Sequence, residues 1–258
     1  MRARDRRAEI GATLRSRPAS VEELAERYGV SLSTIRRDLS TLSAGGEVVR
    51  TYGGALAPAP GEQSVHEREH LSLAQKAAIA REAERFVRPG QLLLLDAGTT
   101  VGALAARLAS YEGITVVTSG VTTMHALEDA AGVNLMVLGG SVRHVSLGMV
   151  GPLAEAALAR ITADVAFLGA DGVTADRGLC EGSAEQASLK RAMVASASTV
   201  VVLADAGKLG NPVSHYWTPL DRPWTLVTDA GATEGQLAPF RARGDVEVVV
   251  APRRKGRR

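Results

Sequence analysis

Cysteine, aromatic side chains and long apolar runs are all scarce in this chain of 258 residues, and each scarcity closes off a class of protein. Cys180 is the only cysteine, so no disulfide can form within the chain, and a reducing cytoplasm is the expected compartment. The basic stretch Met1 to Arg7 is followed by no apolar core of the kind a signal peptide needs, and no run approaches a membrane span. His66, His70, His125, His144 and His215 are scattered and suggest no metal set. No G-x-G-x-x-G follows the first apolar strand, which argues against a nicotinamide enzyme. Aromatic residues make up 3% of the chain against 45% hydrophobic overall, so the core is expected to be aliphatic. The length is ample for two domains.

Charge is divided unevenly. Residues 1–57 hold ten Arg and seven acids, a net of +3; residues 58–252 hold fifteen basic and twenty-one acidic residues, a net of −6. The tail Arg253-Arg254-Lys255-Gly256-Arg257-Arg258 adds +5. A basic head before an acidic body places any contact with a polyanion in the head. The tail either adds sequence-independent attraction to DNA or is simply a solubilising end.

Within the head, Ser20-Val21-Glu22-Glu23 has the form of a capping box, Val21, Leu24 and Ala25 share an apolar face, and Gly29 is placed to end the helix in a left-handed conformation. Ser31 caps a second helix. Its apolar side is Ile35, Leu39 and Leu42; Ser33 and Arg37 point away, flanked by Thr34, Arg36, Ser40 and Thr41. Asp38 lies near the apolar edge and is expected to pair with an Arg of the same domain. Gly45-Gly46 then leads to a strand, Glu47 to Thr51, and Tyr52-Gly53-Gly54 turns it back as a wing. Helix, tight turn, helix and hairpin is the layout of a groove-reading domain, with Ser31, Ser33, Thr34, Arg36 and Arg37 on the helix and Arg50, Tyr52 and Gly53 on the wing. Tyr52 either packs at the hairpin base or meets the sugar-phosphate backbone.

Residues 58–72 open with Pro58-Ala59-Pro60-Gly61 and read as a linker; residues 73–252 form the body and 253–258 the tail. In the body, apolar strands near Leu92–Leu95, Ile114–Val117, Leu135–Leu138, Val165–Leu168, Val200–Leu203, Leu226–Val227 and Val246–Val250 alternate with helices. That is the pattern of a mainly parallel sheet covered on both faces, an α/β domain. Small polar residues follow the strands: Asp96-Ala97-Gly98-Thr99-Thr100, Thr118-Ser119-Gly120, Gly139-Gly140-Ser141, Gly169-Ala170-Asp171-Gly172 and Asp205-Ala206-Gly207-Lys208. Ligands of open α/β sheets bind beyond the carboxyl ends of the strands, and Gly98-Thr99-Thr100 at a helix start suits a phosphate.

The run Thr34-Ile35-Arg36-Arg37-Asp38-Leu39, followed by Arg50 and Gly53-Gly54-Ala55, resembles the DeoR family of bacterial transcriptional regulators. So do Asp96-x-Gly98-Thr99-Thr100, Leu138-Gly139-Gly140, Lys190-Arg191-Ala192-Met193 and Asp205-x-x-Lys208 in the body. Tyr52 stands where a His is expected, and Ser119 where an Asn is frequent. The resemblance implies a winged helix-turn-helix joined to a sugar-phosphate-sensing domain related in fold to ribose-5-phosphate isomerase and CoA-transferases. It implies operator DNA, a phosphorylated sugar or sugar alcohol as effector, no cofactor, no membrane, and a homo-oligomer, dimer or tetramer. On that basis Gly98, Thr99 and Thr100 hold the phosphate, and Gly139 and Gly140 border the sugar. Asp96, Thr118, Ser119, Asp171, Glu185, Lys190, Asp205 and Lys208 are further effector contacts. The isomerase kinship leaves one rival, a sugar-phosphate isomerase-like enzyme in which Glu185 is the general base and Asp171 and Lys190 manage proton and oxyanion.

Overall fold

The computed structural model describes residues 2–16, 19–44, 48–51, 54–56, 63–212 and 214–253. The expectations for Gly45-Gly46, Tyr52, Gly53, most of the Pro/Gly linker and nearly all of the basic tail therefore lie outside the described residues.

The head begins with the helix Ala3–Ser16, which precedes the helix pair Val21–Tyr28 and Leu32–Ala44. Ser20 Oγ accepts from the Glu23 amide at 3.1 Å, and Gly29 ends the helix with φ +61°, a conformation that costs a residue with a Cβ about 1–2 kcal/mol. Ile10, Leu14, Leu24, Ile35, Leu39 and Leu42 are buried together, so the face assigned to the second helix from its period is the one that packs. The hairpin is present as Val49–Thr51 against Gly54–Leu56, with Arg50 opposite Ala55, and Ala19–Ser20 adds a third short strand on its far side.

In the body, seven parallel strands run in the spatial order 246–251, 224–229, 197–203, 163–168, 92–95, 114–118, 133–137. Residues alternate between two cores, as strands buried on both faces require. Leu94, Ala166, Leu168 and Val202 join Leu158, Leu189, Met193, Leu237 and Phe240 on one side. Leu93, Leu95, Phe167 and Val201 join Ile79, Leu104, Leu108 and Leu127 on the other. Every strand expected from the sequence is present, most of them extended by one to three residues at an end. What the pattern did not show are the short antiparallel pieces: the hairpin Ser141–Arg143 with Gly148–Val150, and a three-stranded sheet of Gly172–Thr174, Gly178–Glu181 and Tyr216–Thr218.

Strand order decides where a ligand can enter. From Leu92–Leu95 the chain moves outward through 114–118 to 133–137, then returns to place 163–168 on the opposite flank of 92–95. The connections leave these two adjacent strands toward opposite faces, so a crevice opens beyond their carboxyl ends. The loops bordering it are Asp96 to Gly98 and Gly169 to Asp171.

The stretch taken as linker needs a correction at its C-terminal end. Residues 65–69 form a short helix, closed by a capping box between Ser64 and Glu67: Ser64 Oγ accepts from the Glu67 amide at 3.2 Å, and Glu67 Oε2 accepts from the Ser64 amide at 2.7 Å. Hydrogen bonds from Ser64, opposed only by slight burial, hold the Glu67 carboxyl below the usual carboxylate range.

Candidate functional site

Two regions carry concentrated charge, and they are built differently. On the head, Ser31, Ser33, Arg36 and Arg37 are exposed and Thr34 is half-buried. Ser31 Oγ accepts from the Thr34 amide at 3.2 Å and sits 2.9 Å from the hydroxyls of Ser33 and Thr34. A ring of hydroxyls at a helix start with two solvated arginines one turn on presents donors outward, as phosphate and base-edge contacts require. Asp38 does pair within the domain: it is buried, accepts from Arg6 Nε at 2.6 Å and lies 3.9 Å from Arg7. It fixes the first helix to the helix Leu32–Ala44 and keeps its own charge off the exposed face.

In the body, the crevice is a cleft of about 300 Å³ lined by Arg68, Lys76, Thr99, Asp171, Asp205 and Lys208, among others. A narrower extension of about 20 Å³ reaches Gly98, Thr100, Ser146, Glu181, Gln186 and Lys190. Gly98 has φ +126°, which a side chain would not tolerate, and from it the helix Thr99–Leu108 starts directly against the cleft. The first-turn amides of a helix have no partner within it. Thr100 is buried, and its Oγ1 also has no hydrogen-bond partner. A hydroxyl sealed from water without a partner is unfavourable on folding, and an oxygen-rich anion would satisfy it.

Beneath the extension sits one lysine among carboxylates. Lys190 Nζ donates to Glu181 Oε1 at 2.5 Å and to the Gly169 carbonyl at 2.7 Å, and lies 3.1 Å from Asp96 Oδ2. Asp96 in turn accepts from the amides of Ala97 at 2.7 Å and Gly169 at 3.1 Å, so it ties together the two loops of the crevice. Burial works against the Lys190 charge, but Asp96 and Glu181 outweigh it and hold the ammonium above its ordinary range. Burial pushes the Glu181 carboxyl up to about 8. Lys190 is thus bracketed by Asp96 and Glu181 beneath the extension.

At the cleft itself, Arg68 Nη1 donates to Asp171 Oδ1 at 2.7 Å, and the Gly182 amide donates to Asp171 Oδ2 at 3.1 Å. Burial alone would raise the Asp171 carboxyl; Arg68 and Lys208 reverse this and hold it low. Lys208 Nζ donates to the Ala170 carbonyl at 2.6 Å, and Lys76 Nζ to the Arg68 carbonyl. Burial, then the neighbouring Arg68 charge, lowers the Lys208 ammonium; burial, then Lys208, lowers that of Lys76. Cations that depress one another in this way gain from a bound anion.

Gly98, Thr99, Thr100, Asp171, Lys190, Asp205 and Lys208 are thus brought together as the sequence suggested, with Asp96 supporting from beneath. Others stand elsewhere. Glu185 is exposed in the first turn of the helix Ala184–Ala195, and Glu181 holds the buried acidic position instead. The Thr118 hydroxyl donates to the Leu95 carbonyl at 2.7 Å and accepts from the Gly120 amide at 2.9 Å, so it fastens one strand to the next. Ser119 is buried and does not line the cleft. Gly139 and Gly140 are exposed; Gly140 has φ +129°, and a Cβ there would meet the Val150 carbonyl oxygen at 2.5 Å, a requirement of the hairpin. Sequence reasoning missed Arg68, Lys76, Glu181 and Gln186. One signal was available: only four lysines, Lys76, Lys190, Lys208 and Lys255, occur among the 30 basic residues, and the first three all line the cleft.

Comparison with known proteins places these two regions. Residues 6–60 match the family described as a DeoR-like helix-turn-helix domain, and residues 72–230 match the DeoR C terminal sensor domain. The chain belongs to the DeoR family. Relatives within it include the transcriptional repressor AccR of Agrobacterium fabrum, 33% identical with 88% of this chain and 90% of that protein covered. The glycerol-3-phosphate regulon repressor of Escherichia coli is 29% identical, covering 82% of this chain and 84% of the relative. Among solved structures, ribose 5-phosphate isomerase A from Methanocaldococcus jannaschii aligns over 52% of each chain at 19% identity and a TM-score of 0.39, a likeness too partial to bear on activity. Among the described residues of this DeoR-family chain, no helix is long and apolar enough to cross a membrane, and no group of three His, Cys, Asp or Glu could hold a metal ion.

Proposed function

We propose that the chain is a cytoplasmic repressor of a sugar-metabolism operon, binding operator DNA as a homo-oligomer and responding to a phosphorylated sugar or sugar alcohol in the cleft. The observation that carries this is the meeting of Arg68, Lys76 and Lys208 with a helix N-terminus whose buried Thr100 hydroxyl lacks a partner. A phosphate monoester supplies what that arrangement lacks: two negative charges and acceptor oxygens for the free amides and hydroxyl. Asp171 and Asp205 border the same space and suit sugar hydroxyls. On the head, Arg37 and Ser33 read base edges, while Arg36, Thr34, Ser31, Arg50, Tyr52 and Gly53 serve the backbone. Two copies of the head on a two-fold axis would meet paired half-sites.

Sensing fits this geometry better than isomerisation does. The base assigned to catalysis, Glu185, points to solvent, and Lys190 is already saturated by two carboxylates and a carbonyl. We take the cleft to be a binding site with no cofactor and no turnover. The test is a gel shift of the chain on DNA upstream of its own gene, with and without each member of a panel of phosphorylated sugars. Release of the DNA by one sugar phosphate, and not by the same sugar lacking phosphate, is the expected result. Turnover of a sugar phosphate by the purified chain would revive the enzyme reading.

A further inference from the structure

Among the described residues, the helix Val65–Glu69 is the first element after the Pro/Gly stretch, and it is fastened more firmly than a connector requires. Its capping box closes one end. Val65 is fully buried, and its amide donates to the Val145 carbonyl at 2.6 Å. Lys76 Nζ donates to the carbonyl of Arg68 near the other end, and the chain then turns at Ser72, which holds φ +52°. A left-handed conformation in a residue other than glycine costs about 1–2 kcal/mol and persists only when its surroundings impose it.

Arg68 is what this helix brings to the cleft. It lines both the main space and the inner extension. Nη1 is committed to Asp171, while Nε is buried and has no hydrogen-bond partner. A guanidinium carries five N–H donors in a rigid fork, so a single acceptor fixes its pose and leaves donors uncommitted. Asp171 is that acceptor, and Lys76 and Lys208 line the same space. The half of the site at Gly98 to Thr100 is rigid, built on the sheet and a ten-residue helix; the half at Arg68 rides on the segment leading to the head.

We propose that Arg68 contacts the bound anion directly and that, through the helix that carries it, occupancy of the cleft is passed to the linker and so to the DNA-binding domain. This rests on the reading of the cleft as a phosphate monoester site. An anion held at once by Arg68 and by the N-terminus of the helix Thr99–Leu108 joins the two halves and tightens residues 63–72 against the sheet. Coupling then follows because the ligand makes contacts in the tightened state that it lacks in the loose one.

Hydrogen exchange on the full chain tests this, with inorganic phosphate as the probe and thermal shift as the independent measure of binding. In the wild type, saturating phosphate slows exchange of residues 63–72 by about tenfold, within the usual range of site-to-site coupling. Arg68→Gln binds phosphate about tenfold more weakly and, even at saturation, loses the slowing; Arg68→Lys, which keeps the charge without the fork, restores part of the affinity and less of the slowing. Phosphate that binds the wild type and binds Thr100→Val about tenfold more weakly, while exchange at 63–72 stays unchanged, overturns the role of Arg68 and leaves the cleft assignment standing. Phosphate that does not bind the wild type at all overturns both.

Discussion

The exposed arginines of the helix Leu32–Ala44 and the cations of the cleft are held in opposite ways. Arg36 and Arg37 are exposed, and among the described residues neither has an acidic partner. Lys190, Lys208 and Lys76 are instead held on carbonyls or carboxylates, and Arg68 on Asp171. A long polyanion brings many weakly localised charges, and its affinity comes largely from releasing counterions, so solvated and mobile cations suffice. A small ligand offers one compact charge, so its partners must be fixed in place beforehand. In the head, Asp38 is buried and paired inward with Arg6 and Arg7, which separates the residues that hold the fold from the exposed Arg36 and Arg37.

This contrast can be broken in measurable ways. The largest effect is expected from Lys190→Met, which strips Asp96 of its cation; removing one partner of a buried pair costs about 3–5 kcal/mol, read by urea denaturation. Arg37→Ala should leave stability within about 0.5 kcal/mol of wild type, and comparable losses for the two variants would erase the distinction. On operator DNA, Arg37→Ala should lower affinity about tenfold or more, as loss of a bidentate base contact does. Arg36→Ala should weaken binding uniformly across sequences and reduce the slope of log affinity against log salt by about one.

Thr100→Val is expected to lower phosphate affinity about tenfold, with little change in stability because the hydroxyl has no partner to lose. A further effect concerns pH. The folded-state carboxyl of Glu181 titrates near 8, above its value in an unfolded chain, so between these two pH values the unfolded state holds fewer protons than the folded one. Stability therefore falls as pH rises through that window. Glu181→Gln should flatten the slope, and an equal slope in both proteins would place the titration elsewhere. Asp171, held low, acts in the opposite sense and only in acid: its contribution is lost as pH falls through its depressed value.

Most of the body was legible because strands buried on both faces leave continuous apolar runs, such as Leu92–Leu95, that cannot be mistaken for loops. The small antiparallel strands were not, since three residues such as Gly172–Thr174 are too few to show a period. The site was half legible. Small polar residues after each strand marked the correct end of the sheet, yet they could not separate Thr100, which lacks a partner, from Thr118, whose hydroxyl is spent between strands. Glu185 was named from the family resemblance, although an acid opening a helix is expected from the dipole alone; Glu181, inside the short strand Gly178–Glu181, carried no signal of its own. Arg68 was hidden because its helix is five residues long and follows a Pro/Gly stretch. Only the Ser64-Val65-His66-Glu67 spacing of a capping box advertised it.

The most direct test of the account is operator affinity measured against increasing concentration of a phosphorylated sugar that raises the melting temperature of the chain. This ligand is expected to shift operator affinity in the wild type and to need about tenfold more concentration for the same shift in Thr100→Val, whose affinity without ligand matches the wild type. A ligand that occupies the cleft and leaves operator affinity unchanged would contradict it.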